Sequence, residues 1–106
     1  MIAVIFEVTP KETGRESYFS KAQELKRWLQ YIDGFISVER FQSLSRPNTV
    51  LSLSFWRDEQ AVQTWKNQMQ HREAQQLGID SLFEHYRIRI AQVVRDYDIH
   101  REENTK

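Results

Sequence analysis

Cysteine is absent from this chain of 106 residues. Its absence excludes disulfides, thiolate nucleophiles and cysteine-ligated zinc or iron–sulfur sites. The three histidines, His71, His85 and His100, include no close pair, so no metal site is expected. Charge of one sign is lacking too: fifteen basic side chains balance fifteen acidic ones. Nothing therefore drives attraction to a phosphate backbone, and nucleic acid is not an expected partner. No apolar run is long enough to span a bilayer, and MIAVIFEV has neither the positive region nor the small-residue cleavage site of a secretory leader. The expectation is a cytoplasmic protein with no membrane partner. Repeats and low-complexity segments are also missing.

What remains is a folding composition, 40% hydrophobic and 28% charged, of a size suited to one domain. Residues 2–8, IAVIFEV, read as a strand. Thr9-Pro10-Lys11-Glu12 has the form of a capping box with proline at the first helical position, and Gly14 blurs the onset to between Lys11 and Arg15. Tyr18, Ala22, Leu25, Leu29 and Ile32 then recur at helical steps, with Asp33-Gly34 as the stop. Residues 35–44 and 49–56 are strands joined by Ser45-Arg46-Pro47-Asn48, an antiparallel hairpin. Asp58 is an N-cap for a second helix from about Glu59 to Leu77, which Gly78 stops. A connector covers 79–85 and a fourth strand 86–97. The order β-α-β-β-α-β predicts an α+β, ferredoxin-like domain over 1–97, one antiparallel sheet with two helices on one face, followed by a polar tail over 98–106.

Two helices cover one face of such a sheet, and a wetted second face should be polar. It is not. Ile2, Val4, Phe6 and Val8 share one side of the first strand, and Ala3 and Ile5 take the other. Phe35 and Phe41 oppose Ile36 and Val38; Val50 and Trp56 oppose Leu51, Leu53 and Phe55; Ile88, Ile90 and Val94 oppose Ala91, Val93 and Tyr97. Apolar side chains on both faces predict a homodimer through the sheet faces, a dimeric α+β barrel.

Three segments carry a family resemblance: FWRDEQAVQTWKNQMQHREAQQLG, DGFISVERFQSL and YRIRIAQVVRDY. The first, with its aromatic strand end, acidic cap and W-x5-H-R-x-A helix, resembles the antibiotic biosynthesis monooxygenase domain; the other two resemble that domain's second and last strands. The resemblance spans nearly all of 1–97. It implies a ferredoxin-like protomer, sheet-to-sheet homodimers and a pocket between sheet and helices. Some members resemble cofactor-independent oxygenases of aromatic phenols or quinols, and others degrade haem. The haem degraders use a helix tryptophan, a histidine ligand ten positions later and a first-strand asparagine. Here Trp65 matches, but the ligand position holds Gln75 and the strand position Phe6.

The resemblance thus implies a small monooxygenase of a phenol or quinol that needs no cofactor. The alternatives are a non-catalytic dimeric domain that binds a small aromatic or hydrophobic ligand, and a haem-binding relative using another ligand such as His71. In the first reading His71 accepts the substrate proton, Arg89 stabilises the resulting anion, and Trp65, with Phe6, Phe55, Asn67 and Met69, lines the pocket. Each has a plainer reading. Ala61, Val62, Trp65 and Met69 form the inward helix face, so Trp65 can be core. His71 stands about 120° around a regular helix from Trp65 and can be a solvated imidazole. Asn67 is expected on the surface. Arg40, Gln42, Arg89 and Gln92 interrupt apolar strands, either paired across the sheet with Glu39 or Glu7 or orienting a ligand. Trp28 and Trp56 are expected to be packing.

Overall fold

The computed structural model describes residues 1–75 and 83–100, and for 69–75 the course of the helix alone. Its elements are β1 (Ile2–Pro10), a 3-10 turn (Glu12–Gly14), α1 (Arg15–Leu29), β2 (Phe35–Gln42), β3 (Val50–Trp56), α2 (Glu59–Gln75) and β4 (Phe83–Gln92). The four strands pair in the order β2-β3-β1-β4, all antiparallel. This is the ferredoxin-like split arrangement expected from the order of elements. The two crossovers carry α1 and α2 to one face, and β2 with β3 forms the hairpin between them.

Several boundaries moved, each for a local reason. The capping box does not form. Thr9 and Pro10 continue β1, the Thr9 hydroxyl bonds the Thr49 hydroxyl at 2.9 Å, and α1 starts at Arg15 without a side-chain cap. The hairpin turn begins at Ser43 because Gln42 clamps it, donating from Nε2 to the Pro47 carbonyl at 2.7 Å and the Thr49 carbonyl at 3.1 Å. β4 starts at Phe83 and ends at Gln92, earlier at both ends than expected, since its partner β1 reaches Pro10 at one end and stops at Ile2 at the other. Beyond it 93–100 carry no regular structure, with Val94, Tyr97 and Ile99 exposed. The stop at Gly78 falls outside the described residues.

The second helix begins as its sequence demands. Asp58 accepts a hydrogen bond from the Ala61 N–H at 2.9 Å, filling one of the orphan donors at a helix start. A bulge at 35–37 changes the parity of β2. Phe35 and Val38, expected on opposite faces, therefore both pack against the core, and Phe41 turns outward.

The core lies on the helix side in two clusters. Ile2, Val4, Leu29, Ile32, Trp56, Ala61 and Val62 make one, and Val8, Tyr18, Ala22 and Val50 the other. Trp56 is wholly buried, its indole N–H donating to the Ser54 hydroxyl at 2.9 Å. Trp28, by contrast, is 46% exposed and stands outside the buried clusters. Gly34 closes α1 onto this layer with a φ of +92°, where an added Cβ would stand 2.5 Å from that of Ala61. Only glycine fits such a turn without strain.

Candidate functional site

Strand register places side chains in rows across the helix side of the sheet. One row runs Arg40, Ser52, Phe6, Ile88, from edge strand β2 to edge strand β4. It falls between the two core clusters. Ser52 is the telling member. On central strand β3 its same-face neighbours Val50, Ser54 and Trp56 are buried, yet Ser52 is partly exposed. The helix layer is therefore open above the middle of the sheet. Phe6 is half-buried there, and Ile88 and Ile90 are each 49% exposed.

The walls of this opening come from regular elements. Trp65, half-buried on α2, packs its ring 5.4 Å from that of Trp56 and belongs to the first cluster. Phe6 stands 6.0 Å from Phe83 and 5.9 Å from Tyr86, and Tyr18 of α1 stands 5.5 Å from Phe83. Aromatic rings in such contacts lend rigidity at little entropic cost, since each carries only two torsions. Beside α2, over β4, lies a second, open cleft of about 360 Å³ lined by Glu59, Gln60, Val62, Gln63 and Ile90.

Arg40 supplies the charge. Its Nη2 donates to the Ala22 carbonyl of α1 at 3.3 Å, while its Nε is buried with no partner among the described residues. Tyr18 shares this corner. Burial pushes its hydroxyl above the ordinary phenol value, and the Arg40 guanidinium, by hydrogen bonding and by charge, offsets only part of that. The Tyr18 hydroxyl is thus a proton donor at any ordinary pH.

The expected site residues divide between the two faces. Trp65 and Phe6 are on the helix side. Phe55 pairs with Ala3 and Arg89 with Ile5, on the open face, opposite the side on which Trp65 packs. Asn67 is exposed and accepts a hydrogen bond from Gln63 at 3.3 Å. His71 and Met69 lie on the course of α2, and their side chains fall outside the described residues. Among the described residues no cluster of three or more acidic or histidine side chains could hold a metal ion, and no helix is long and apolar enough to cross a membrane.

Comparison with known proteins gives this geometry its family. Residues 1–77 match the antibiotic biosynthesis monooxygenase family. The chain belongs to that family. It is 43% identical to jasmonate monooxygenase ABM of Pyricularia oryzae, over 97% of this chain and 49% of that protein. The chain thus spans about half the length of that relative. Among solved structures, Rv0793 of Mycobacterium tuberculosis superposes with a TM-score of 0.78 at 12% identity, over 92% of this chain and 98% of that one. A variant of SnoaB, a cofactor-independent oxygenase of Streptomyces nogalater, does so with a TM-score of 0.73 at 13% identity, over 90% and 94%. At such identities the likeness to these family structures is one of fold.

Sequence reading singled out Arg40 only as one of four polar interruptions, and saw Tyr18 only as core. A parity count would have separated them. Arg40 lies in phase with Val38 on the core side, whereas Arg89 lies in phase with Ala91 on the other.

Proposed function

We propose that this chain is a monooxygenase that uses no cofactor and oxidises a small aromatic phenol or quinol held between the helix layer and the sheet. The observation that carries the reading is the partly exposed Ser52 between the buried Val50 and Ser54, in a row continued by Phe6 and Ile88, with Trp65 packed on the neighbouring cluster. Ligand sites are commonly apolar concavities with a few polar groups. The chemistry balances without an added reductant. A naphthoquinol and dioxygen give a hydroxynaphthoquinone and water; the substrate is the only electron donor. The protein's share is to desolvate and orient the substrate and to take its proton. His71 is the proposed proton acceptor, since an unperturbed imidazole titrates near pH 6.5.

A second substrate class is favoured by the 43% identity to a jasmonate monooxygenase. Jasmonate is a cyclopentanone carboxylate with no phenolic hydroxyl. Hydroxylating it with dioxygen consumes two further electrons and two protons, which must come from a separate reductant. Electron supply thus separates the two classes.

The same reading includes a homodimer through the open sheet face. The row Glu39, Leu53, Ile5, Arg89 puts apolar side chains at the centre and opposite charges at the two ends. Such a patch suits an apolar interface core with a polar rim.

Oxygen uptake by the metal-free protein tests the function, with reduced naphthoquinols and anthrones, and with jasmonate in the presence and absence of a reductant. Uptake above the autoxidation blank that falls in Trp65→Phe and His71→Ala is the expected result. Reductant-dependent uptake with jasmonate alone selects the second class. Binding without uptake by any substrate overturns the enzyme and leaves a ligand-binding domain.

A further inference from the structure

We infer that Arg40 and Tyr18 form an anion subsite that binds the carboxylate of an apolar substrate; this rests on the helix-side opening being the substrate site. Arg40 projects from edge strand β2 into the layer under α1, where its Nη2 donates to the Ala22 carbonyl at 3.3 Å and its guanidinium hydrogen-bonds the Tyr18 side chain. The buried Nε has no acceptor, and no described carboxylate lies against the guanidinium. A guanidinium taken partly out of water without a counterion is costly, and a planar fork of donors suits a carboxylate better than any neutral group.

Other arginines of the described chain show the contrast. Arg57 has Asp33 at 3.1 Å and Asp58 at 3.2 Å, and Arg46 has Glu7 at 3.4 Å, all at exposed positions. These two outer arginines have acids, and Arg40, inside the layer, has none among the described residues. Ser52 beside it on β3 presents a small, partly exposed side chain, so the row is not filled next to Arg40. Tyr18 adds a hydroxyl that remains protonated and can donate to the same anion. Phe6 and Ile88, further along the same row, would take the apolar body of the ligand. The subsite therefore selects an apolar monocarboxylate with its charged end at β2 and its apolar part toward β4.

The test is anaerobic binding, followed by tryptophan fluorescence, so that turnover plays no part. The probes are a dihydroxynaphthoate and decanoate, each beside its neutral methyl ester. Charged hydrogen bonds are worth about 1.5–3 kcal/mol, so each acid should bind wild-type protein roughly tenfold to hundredfold more tightly than its ester. Arg40→Met should remove that preference by weakening the acids far more than the esters, Arg40→Lys should keep part of it, and Tyr18→Phe should reduce it. Equal binding of acid and ester by the wild type, no binding of any probe, or a parallel loss of both in Arg40→Met would each overturn the subsite. Melting curves of the variants identify a fold defect, and Arg40→Lys then decides. The two readings fail separately. Acid-selective binding without oxygen uptake keeps the subsite and removes the enzyme. Uptake with neutral quinols and no preference for acids does the reverse.

Discussion

The two faces of this sheet are built by alternate residues of the same strands, yet they end in different states. On β3, Val50, Ser54 and Trp56 are buried beneath the helices, while Leu51, Leu53 and Phe55, equally apolar, remain partly exposed. The strand does not decide which set is closed. The connections do, because both crossovers lead to one side. An apolar face left without a layer is surface available for assembly.

The sharpest way to break that comparison is to truncate one side chain from each face of β3. Trp56→Ala removes a wholly buried indole and should cost about 3–5 kcal/mol in urea denaturation, with a cavity left beneath Trp65. Leu53→Ala should be milder, and its cost should grow with protein concentration, because the proposed partner and not the protomer covers it. A cost for Leu53→Ala as large as that of Trp56→Ala at every concentration would mean the open face is closed by the protomer itself.

Assembly gives the next largest effect. Leu53→Lys would place a charge at the centre of the open face, twice in a symmetric dimer. Truncating or misplacing a buried interfacial charge costs roughly 2–5 kcal/mol, so sedimentation equilibrium should show self-association weakened about a hundredfold or more. Circular dichroism should show the protomer fold unchanged. A wild-type protein that sediments as a monomer at micromolar concentration would remove the dimer.

Most of the fold was legible because its signals are periodic. The helical steps of Tyr18, Ala22 and Leu29 and the alternation of β1 and β3 require only counting, and Asp58 capped α2 where a short acidic side chain before an amphipathic run should. What misled was local chemistry with two outlets. Thr9-Pro10 has the residues of a capping box, but the Thr49 hydroxyl across the sheet offers Thr9 a partner, and the strand runs on. The bulge at 35–37 carries no residue signal and reverses the parity of Phe35. For the site, Phe55 and Arg89 are sound pocket residues by type. Parity sets Arg89 with Ala91 and Arg40 with Val38, and the register adds which of those faces lies beneath the helices.

The joint that holds the helix layer to its face supplies two smaller effects. It gathers the turn after α1 and the start of α2: the Arg57 N–H donates to the Gly34 carbonyl at 2.7 Å, and the Arg57 guanidinium meets both carboxylate oxygens of Asp33 at 3.2 and 3.1 Å. Gly34→Ala would force a side chain into a positive-φ turn and against Ala61. Backbone strain of that kind costs about 1–3 kcal/mol. The loss should appear as earlier thermal unfolding, with Trp56 fluorescence reporting the loosened layer. An unchanged melting temperature would show that the joint can shift at no cost.

The smallest effect is an acid limb at the same joint. Asp33 is held below its ordinary carboxyl value of 3.8 by hydrogen bonds and then charge from Arg57, and Asp58 is held below it by the Ala61 N–H and then by Arg57. A carboxyl depressed in the folded state contributes stability above its unfolded value, and the contribution is lost as pH falls through the folded one. Both groups are exposed, so solvent screening keeps the contribution small. Melting temperature should therefore be level from neutral pH to about 4 on their account and decline below it. Asp58→Asn keeps a capping oxygen but no charge, and should flatten part of that decline with a slight loss at neutral pH. A decline of unchanged depth in Asp58→Asn and Asp33→Asn would place the acid sensitivity elsewhere in the molecule. A decline that vanishes in both would show that these two carboxylates fasten the helix layer to the one face it covers.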